Sequence, residues 1–259
     1  MENFVKNNSI VKTIWSDTDC ILFIFGACAG EFAYSKSIDW LFYTGKLPND
    51  PIGRLFSTVN YAQQIVFTKN AEDIIRSIVR IHKKIEEKRG YPIPNEAYKD
   101  VLSMLINYSA SVYELLYRPI SKEEYAEIYD VFKRIGVQME LQNLPDGLEN
   151  WQKDRELSLE NNYINSSLTK ELFTKYKIEL GPLRYKLLLV VQSFLLDPRF
   201  VNKPNRPIWS LLFYFYKKTK HLWPIKEVKY LLLPKQYQDN LKKMINTKSK
   251  IRCPFADLA

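Results

Sequence analysis

The chain has 259 residues, 46% hydrophobic and 26% charged, a balance that excludes a disordered chain and suits a fold with a buried core. Its net charge of +9 admits nucleic acid, an anionic membrane surface or an acidic ligand, but basic residues never run long and no nucleic-acid-binding motif is present. Cys20, Cys28 and Cys253 are odd in number and lack CxxC spacing, which speaks against a disulfide framework or zinc site and for a reducing compartment.

The opening MENFVKNNSIVKTIW has no apolar h-region of a secretory signal. No segment reaches the ~18 apolar residues that suggest a spanning helix, so a cytoplasmic protein is expected. Asp17 or Thr18 caps a helix through CILFIFGACAGEFAYS. Gly26 and Gly30 give that helix a small-residue face, open to another helix or, less commonly, a flat ligand. SIDWLFYTGKLPNDPIG reads as a short helix and a turn-rich loop. A helix follows over about residues 52–67, where Arg54 and Thr58 share a face beside Leu55, Val59, Ala62 and Val66. Asn70 caps the next helix, which carries His82 and ends near Gly90. YPIPN is an extended connector, and a long apolar helix covers about 96–116. Ser121 and Glu124 are spaced as a capping box for another helix. LQNLPDGLENW leads into a helix from 146 or 148, and polar residues 161–169 form loop or cap. Further helices are expected over 170–176, 182–195, 207–220 and 235–245. With no repeat, low-complexity tract or linker, residues 1–259 read as a single helical domain, all-α in class.

GxGxxG, P-loop, HExxH and GxSxG motifs are all absent. Two histidines are too few for a His-rich metal site. His82 falls on the apolar side of its helix with Ile75, Ile78 and Ile85, while Arg76, Arg80, Lys83, Lys84 and Glu87 face the other way. A lone histidine there more often packs against a hydrogen-bond partner than ligates. The sharper reading is a single axial ligand to haem iron, since haem needs one protein nitrogen on a rigid helix among apolar neighbours. Glu31 and Asp39 are acidic residues that could serve as a base, with a surface location the commoner outcome for either. His221 sits near the end of a basic, aromatic helix, where the helix dipole would stabilise its charge. WSLLFYFYKKTKHLW could admit a greasy substrate or touch a membrane peripherally, although an amphipathic core helix is the commoner use of such a stripe.

Three segments also carry a resemblance. DPIGRLFSTVNYAQQIVF, IVRIHKKI and YELLYRPISKEEYAEIYDVFKRIGVQMEL follow in that order, with a looser echo in LLLPKQYQDNLKKM. Together they resemble the latex-clearing protein (rubber oxygenase) and MpaB-type oxygenase family over about residues 21–245, through Asp50, Pro51, Gly53, Arg54, Leu55, Thr58, His82, Tyr113, Glu114 and Pro119 to Glu124. The resemblance implies a helical fold with a globin-like core around haem b. His82 would be the axial iron ligand, with Arg54 and Thr58 in the haem pocket on the opposite side. It further implies O2 as oxidant, an apolar or aromatic small molecule as substrate, and Arg54, Ser57 and Thr58 as the catalytic set. Ser57 stands where rubber-cleaving members can carry a lysine. Tyr34 and either Leu102 or Ser103 stand near positions where many members have histidines. A member with those replacements could equally be a non-catalytic haem- or hydrophobic-ligand-binding protein.

Overall fold

The computed structural model describes residues 4–43, 50–201 and 207–220, with 222, 234, 235 and 238. His221, Cys253 and almost all of the expected helix over 235–245 lie outside them. Among the described residues the chain is all-α, with no sheet and a single isolated bridge between Ser35 and Tyr163.

The first helix, α1 (Ile10–Ser16), has no counterpart among the sequence expectations; Ser9 caps it and its Ile10, Val11, Ile14 and Trp15 are buried. Asp17 accepts a hydrogen bond from the Cys20 N–H and so starts α2 (Thr18–Phe32) where the capping signal placed it. Residues 19–21 and 23–32 of α2 are all buried, the pattern of a helix apolar on every side that must be surrounded. The short α3 (Ile38–Tyr43) precedes α4 (Pro51–Phe67) and α5 (Ala71–Arg89). Asn70 occupies the cap position of α5 without a side-chain capping bond, whereas Gly90 closes that helix at φ 90°, a left-handed conformation suited to glycine.

The long α6 (Asn95–Leu116) lies against α2 and against α7 (Lys122–Gln138). The Ser121–Glu124 capping box at the start of α7 is formed in both directions. Next come α8 (Leu148–Asn161) and α9 (Ser167–Leu195), the latter kinked at Gly181 (φ 73°) directly before Pro182. The two helices expected over 170–176 and 182–195 are the halves of α9. Helix α10 (Pro207–Thr219) packs Phe213 and Tyr216 against Phe23 of α2.

Helix α2 is thus the axis, touched by α1, α4, α6 and α9. Its contact with α9 is close because Gly26 and Gly30 have no Cβ: one at Gly30 would lie 2.6 Å from the Gln192 side chain. Gln192 uses the space to donate from Nε2 to the Gly26 carbonyl at 3.1 Å. The small-residue face therefore serves helix packing. A second polar tie runs through Trp15, whose Nε1 donates to Ser109 Oγ (3.1 Å) and whose carbonyl accepts from Gln63 Nε2 (3.1 Å). It fixes α4 relative to α1 and α6, and α4 in turn packs on α5.

Candidate functional site

The segment DPIG builds the start of α4. Asp50 accepts from the Gly53 N–H at 2.8 Å, and Pro51 occupies the first turn, where its missing N–H costs nothing. A Cβ on Gly53 would lie 2.2 Å from an Asp50 carboxylate oxygen, so the cap requires glycine there. One residue later comes Arg54, with Ser57 and Thr58 on the next turn; all three are partly buried. Both hydroxyls turn back onto their own helix. Ser57 Oγ donates to the Gly53 carbonyl at 2.8 Å, and Thr58 Oγ1 to the Arg54 carbonyl at a long 3.5 Å. The Arg54 guanidinium has no ion pair or hydrogen bond among the described residues. Burial pulls its pKa below the ordinary arginine value, a trend that Tyr61 opposes.

His82 lies on the inward side of α5, as its spacing indicates. Ile75 is buried and Ile78 and Ile85 partly so, while Arg76, Arg80, Lys83, Lys84 and Glu87 are exposed. Its Nδ1 is shut off from solvent and has no hydrogen-bond partner. Burial, and secondarily the Arg54 charge, push its pKa down to about 4. At neutral pH the imidazole is uncharged and keeps a lone pair available, the form in which histidine ligates metals. Arg54 and His82 sit on helices α4 and α5, which pack against each other.

Tyr98 of α6 is a neighbour that no motif pointed out. Its ring lies 5.0 Å from the imidazole, tilted by 60°, and its hydroxyl donates to Glu86 Oε1 at 3.2 Å. The same oxygen accepts from the Ile93 N–H at 2.9 Å.

The two acidic residues considered as bases separate. Asp39 is half exposed and pairs with Arg89 at 3.3 Å. Glu31, expected at the surface, is 1% exposed. It accepts from Tyr108 (2.5 Å), Arg155 (2.5 Å) and Tyr163 (2.9 Å). Burial pulls the Arg155 guanidinium down, and Glu31 more than offsets it, so the net shift is upward. Every group around this carboxylate is a committed partner, which makes it a structural centre. The positions near which the family can carry histidines are structural as well. Tyr34 stacks on Phe200 at 5.0 Å, Leu102 is buried beneath Gly136, and Ser103 Oγ accepts from Trp151 Nε1 at 3.1 Å.

No cluster of three or more His, Cys, Asp or Glu side chains among the described residues could hold a metal ion by itself. A prosthetic group that carries its own equatorial ligands and needs one protein nitrogen is a different case. The neutral imidazole with a buried, orphaned nitrogen, and the unpaired Arg54 cation on the helix packed against it, suit such a group by their donor chemistry. No helix among the described residues is long and apolar enough to cross a membrane.

Residues 41–156 match the family model described as ER-bound oxygenase mpaB/B'/Rubber oxygenase, catalytic domain. The match contains every residue from Asp50 to Glu124 on which the resemblance was read. Comparison with curated proteins and with solved structures returned no match.

Proposed function

We propose that this chain, whose residues 41–156 match the mpaB/rubber oxygenase catalytic-domain family model, is a haem b-dependent oxygenase. Its substrate would be an apolar or aromatic small molecule, cleaved or oxygenated with O2. The observation that carries the reading lies inside the matched segment: a partly buried, neutral histidine with one buried, unpartnered nitrogen, and on the helix packed against it a partly buried arginine with no carboxylate partner. A globin-like arrangement of the helices around the group, a single domain spanning residues 1–259 and a cytoplasmic location belong to the same proposal.

Haem bound at this site would supply a redox-active iron for O2 chemistry. His82 would hold it by one ring nitrogen, on a helix fixed at its end by the Gly90 cap. Arg54 would act as a cationic hydrogen-bond donor toward negative charge on a carboxylate or on reduced oxygen, its effect enlarged by its desolvated surroundings. Ser57 and Thr58 lie one turn on, each with its proton directed to a helix carbonyl, so their oxygens are available as acceptors more than as donors. Toward substrate, the exposed Leu211, Leu212 and Phe215 of α10, with Lys218 beside them, support contact with a greasy molecule or a membrane surface.

The test is an absorption spectrum of purified wild type, titrated with haem, beside His82→Ala. A Soret band in the wild type that is lost or shifted in the variant supports the reading; no band in the wild type after haem addition sinks it. The spent hydroxyls of Ser57 and Thr58 favour one second reading, a haem- or hydrophobic-ligand-binding protein without turnover. It predicts a normal Soret band with no oxygen consumption on apolar substrates.

A further inference from the structure

Histidines that hold metals nearly always donate their other ring N–H to a carboxylate, carbonyl or water, and that bond fixes the rotation of the ring. His82 lacks such a bond, because neither of its ring nitrogens has a hydrogen-bond partner among the described residues. Something else must hold the ring, and Tyr98 is the side chain placed to do it. The two rings lie 5.0 Å apart at 60°, and the Tyr98 ring is itself tethered. Its hydroxyl is held by Glu86 Oε1, which also accepts from the Ile93 N–H in the connector after Gly90. Glu86 is one helical turn beyond His82, so a single carboxylate ties the end of α5, the connector and the start of α6 around the imidazole.

We infer that Tyr98, anchored by Glu86, is a positioning residue that sets the rotation of the His82 imidazole. This rests on the haem reading for its consequence but not for its geometry. Steric contact then does what a hydrogen bond does in other sites, leaving the imidazole a neutral ligand without added basicity from an acceptor behind it. Tyr98→Phe keeps the ring and loses the tether; Tyr98→Leu loses the ring; Glu86→Ala removes the anchor while leaving the ring in place.

The first measurement is histidine-selective NMR on the full, haem-free chain, in which only His82 and His221 contribute. Wild type should give one sharp set of His82 ring signals. Tyr98→Leu should broaden or split them, and Glu86→Ala and Tyr98→Phe, which both cut the tether, should do so to a lesser degree. The second is haem release and the ferric EPR spectrum of the loaded protein. Tyr98→Leu should release haem roughly tenfold faster, in line with the loss of a supporting contact behind a ligand, and should widen the spread of EPR signals. Tyr98→Phe should stay within about twofold on the same scale. Single, sharp His82 signals in both Tyr98→Leu and Glu86→Ala would overturn the inference. A wild type that takes up no haem would overturn the proposed function, while the NMR arm would still decide the role of Tyr98. Should Tyr98→Leu fail to fold, the Glu86→Ala spectrum decides in its place.

Discussion

Asp100 of α6 should make the protein less stable as pH rises from about 4 through about 6. The residue is 3% exposed. Ser158 donates to its Oδ1 at 2.6 Å, and its Oδ2 is buried without a partner. Burial outweighs the bonds from Ser158 and Asn162 and raises the carboxyl pKa from 3.8 to about 6. A folded-state pKa above the unfolded one means that the native state binds the proton more tightly. That stability is fully present below about pH 4 and is lost as pH rises through about 6. Two pKa units at about 1.4 kcal/mol each amount to about 3 kcal/mol. Asp100→Asn removes the titration and keeps the acceptor for Ser158. Its amide group would replace the orphaned oxygen, a cost of about 1–3 kcal/mol that is the same at every pH. Urea unfolding of wild type and variant at about pH 4 and about pH 7.5 should therefore show the variant gaining about 2.4 kcal/mol on wild type between the two conditions, because the unfolded carboxyl is already partly ionised at about pH 4. Acid effects of the other carboxylates cancel in that comparison. A variant-to-wild-type difference that does not change with pH would refute the assignment of a desolvated, protonated Asp100.

Three further outcomes follow from contacts elsewhere. Arg155→Met leaves Glu31 buried with only two phenols for partners and should cost about 3–5 kcal/mol in urea unfolding, most of it recovered when Glu31→Gln is added. Gly30→Ala should cost about 1–3 kcal/mol, more than Gly26→Ala, because its new Cβ meets Gln192 at 2.6 Å whereas that at Gly26 meets Val191 at 3.3 Å; equal effects would count against tight α2–α9 packing. Gly90→Ala forces a side chain into the left-handed region and should cost about 1–2 kcal/mol, read as a lower Tm.

What could be read in advance was local. Asp17, Ser121 with Glu124, and Gly90 announce helix ends through bonds spanning a few residues, and each appears where the spacing put it. The apolar side of α5 is equally local, because one helix period orders His82 with its isoleucines. Helix α1 escaped because seven residues are too few to display a period. Asn70 shows the converse, a capping residue type at the right position whose side chain makes no capping bond. Glu31 escaped for a different reason: its partners lie 77, 124 and 132 residues along the chain. Nothing near FGACAGEF reveals that they exist. The same holds for Tyr98, which reaches His82 only because Glu86 and the connector bring the start of α6 against the end of α5. The family match, confined to residues 41–156, includes Arg155 and Tyr108 but leaves Glu31 and Tyr163 outside.

The span between Glu31 and Arg155 has a consequence during synthesis. Helix α2 emerges early, apolar on every side and with an acid at its buried end. The cation that neutralises that acid is made only 124 residues later. At about 5–20 residues per second, the ribosome exposes the helix for several seconds or more before its counter-charge exists. In that interval the ionised Glu31 is an obstacle to premature burial of α2, whether in a collapsed globule or against another nascent chain. The acid at the heart of the finished fold thus opposes early burial of α2 until the cation that can enclose it has been made.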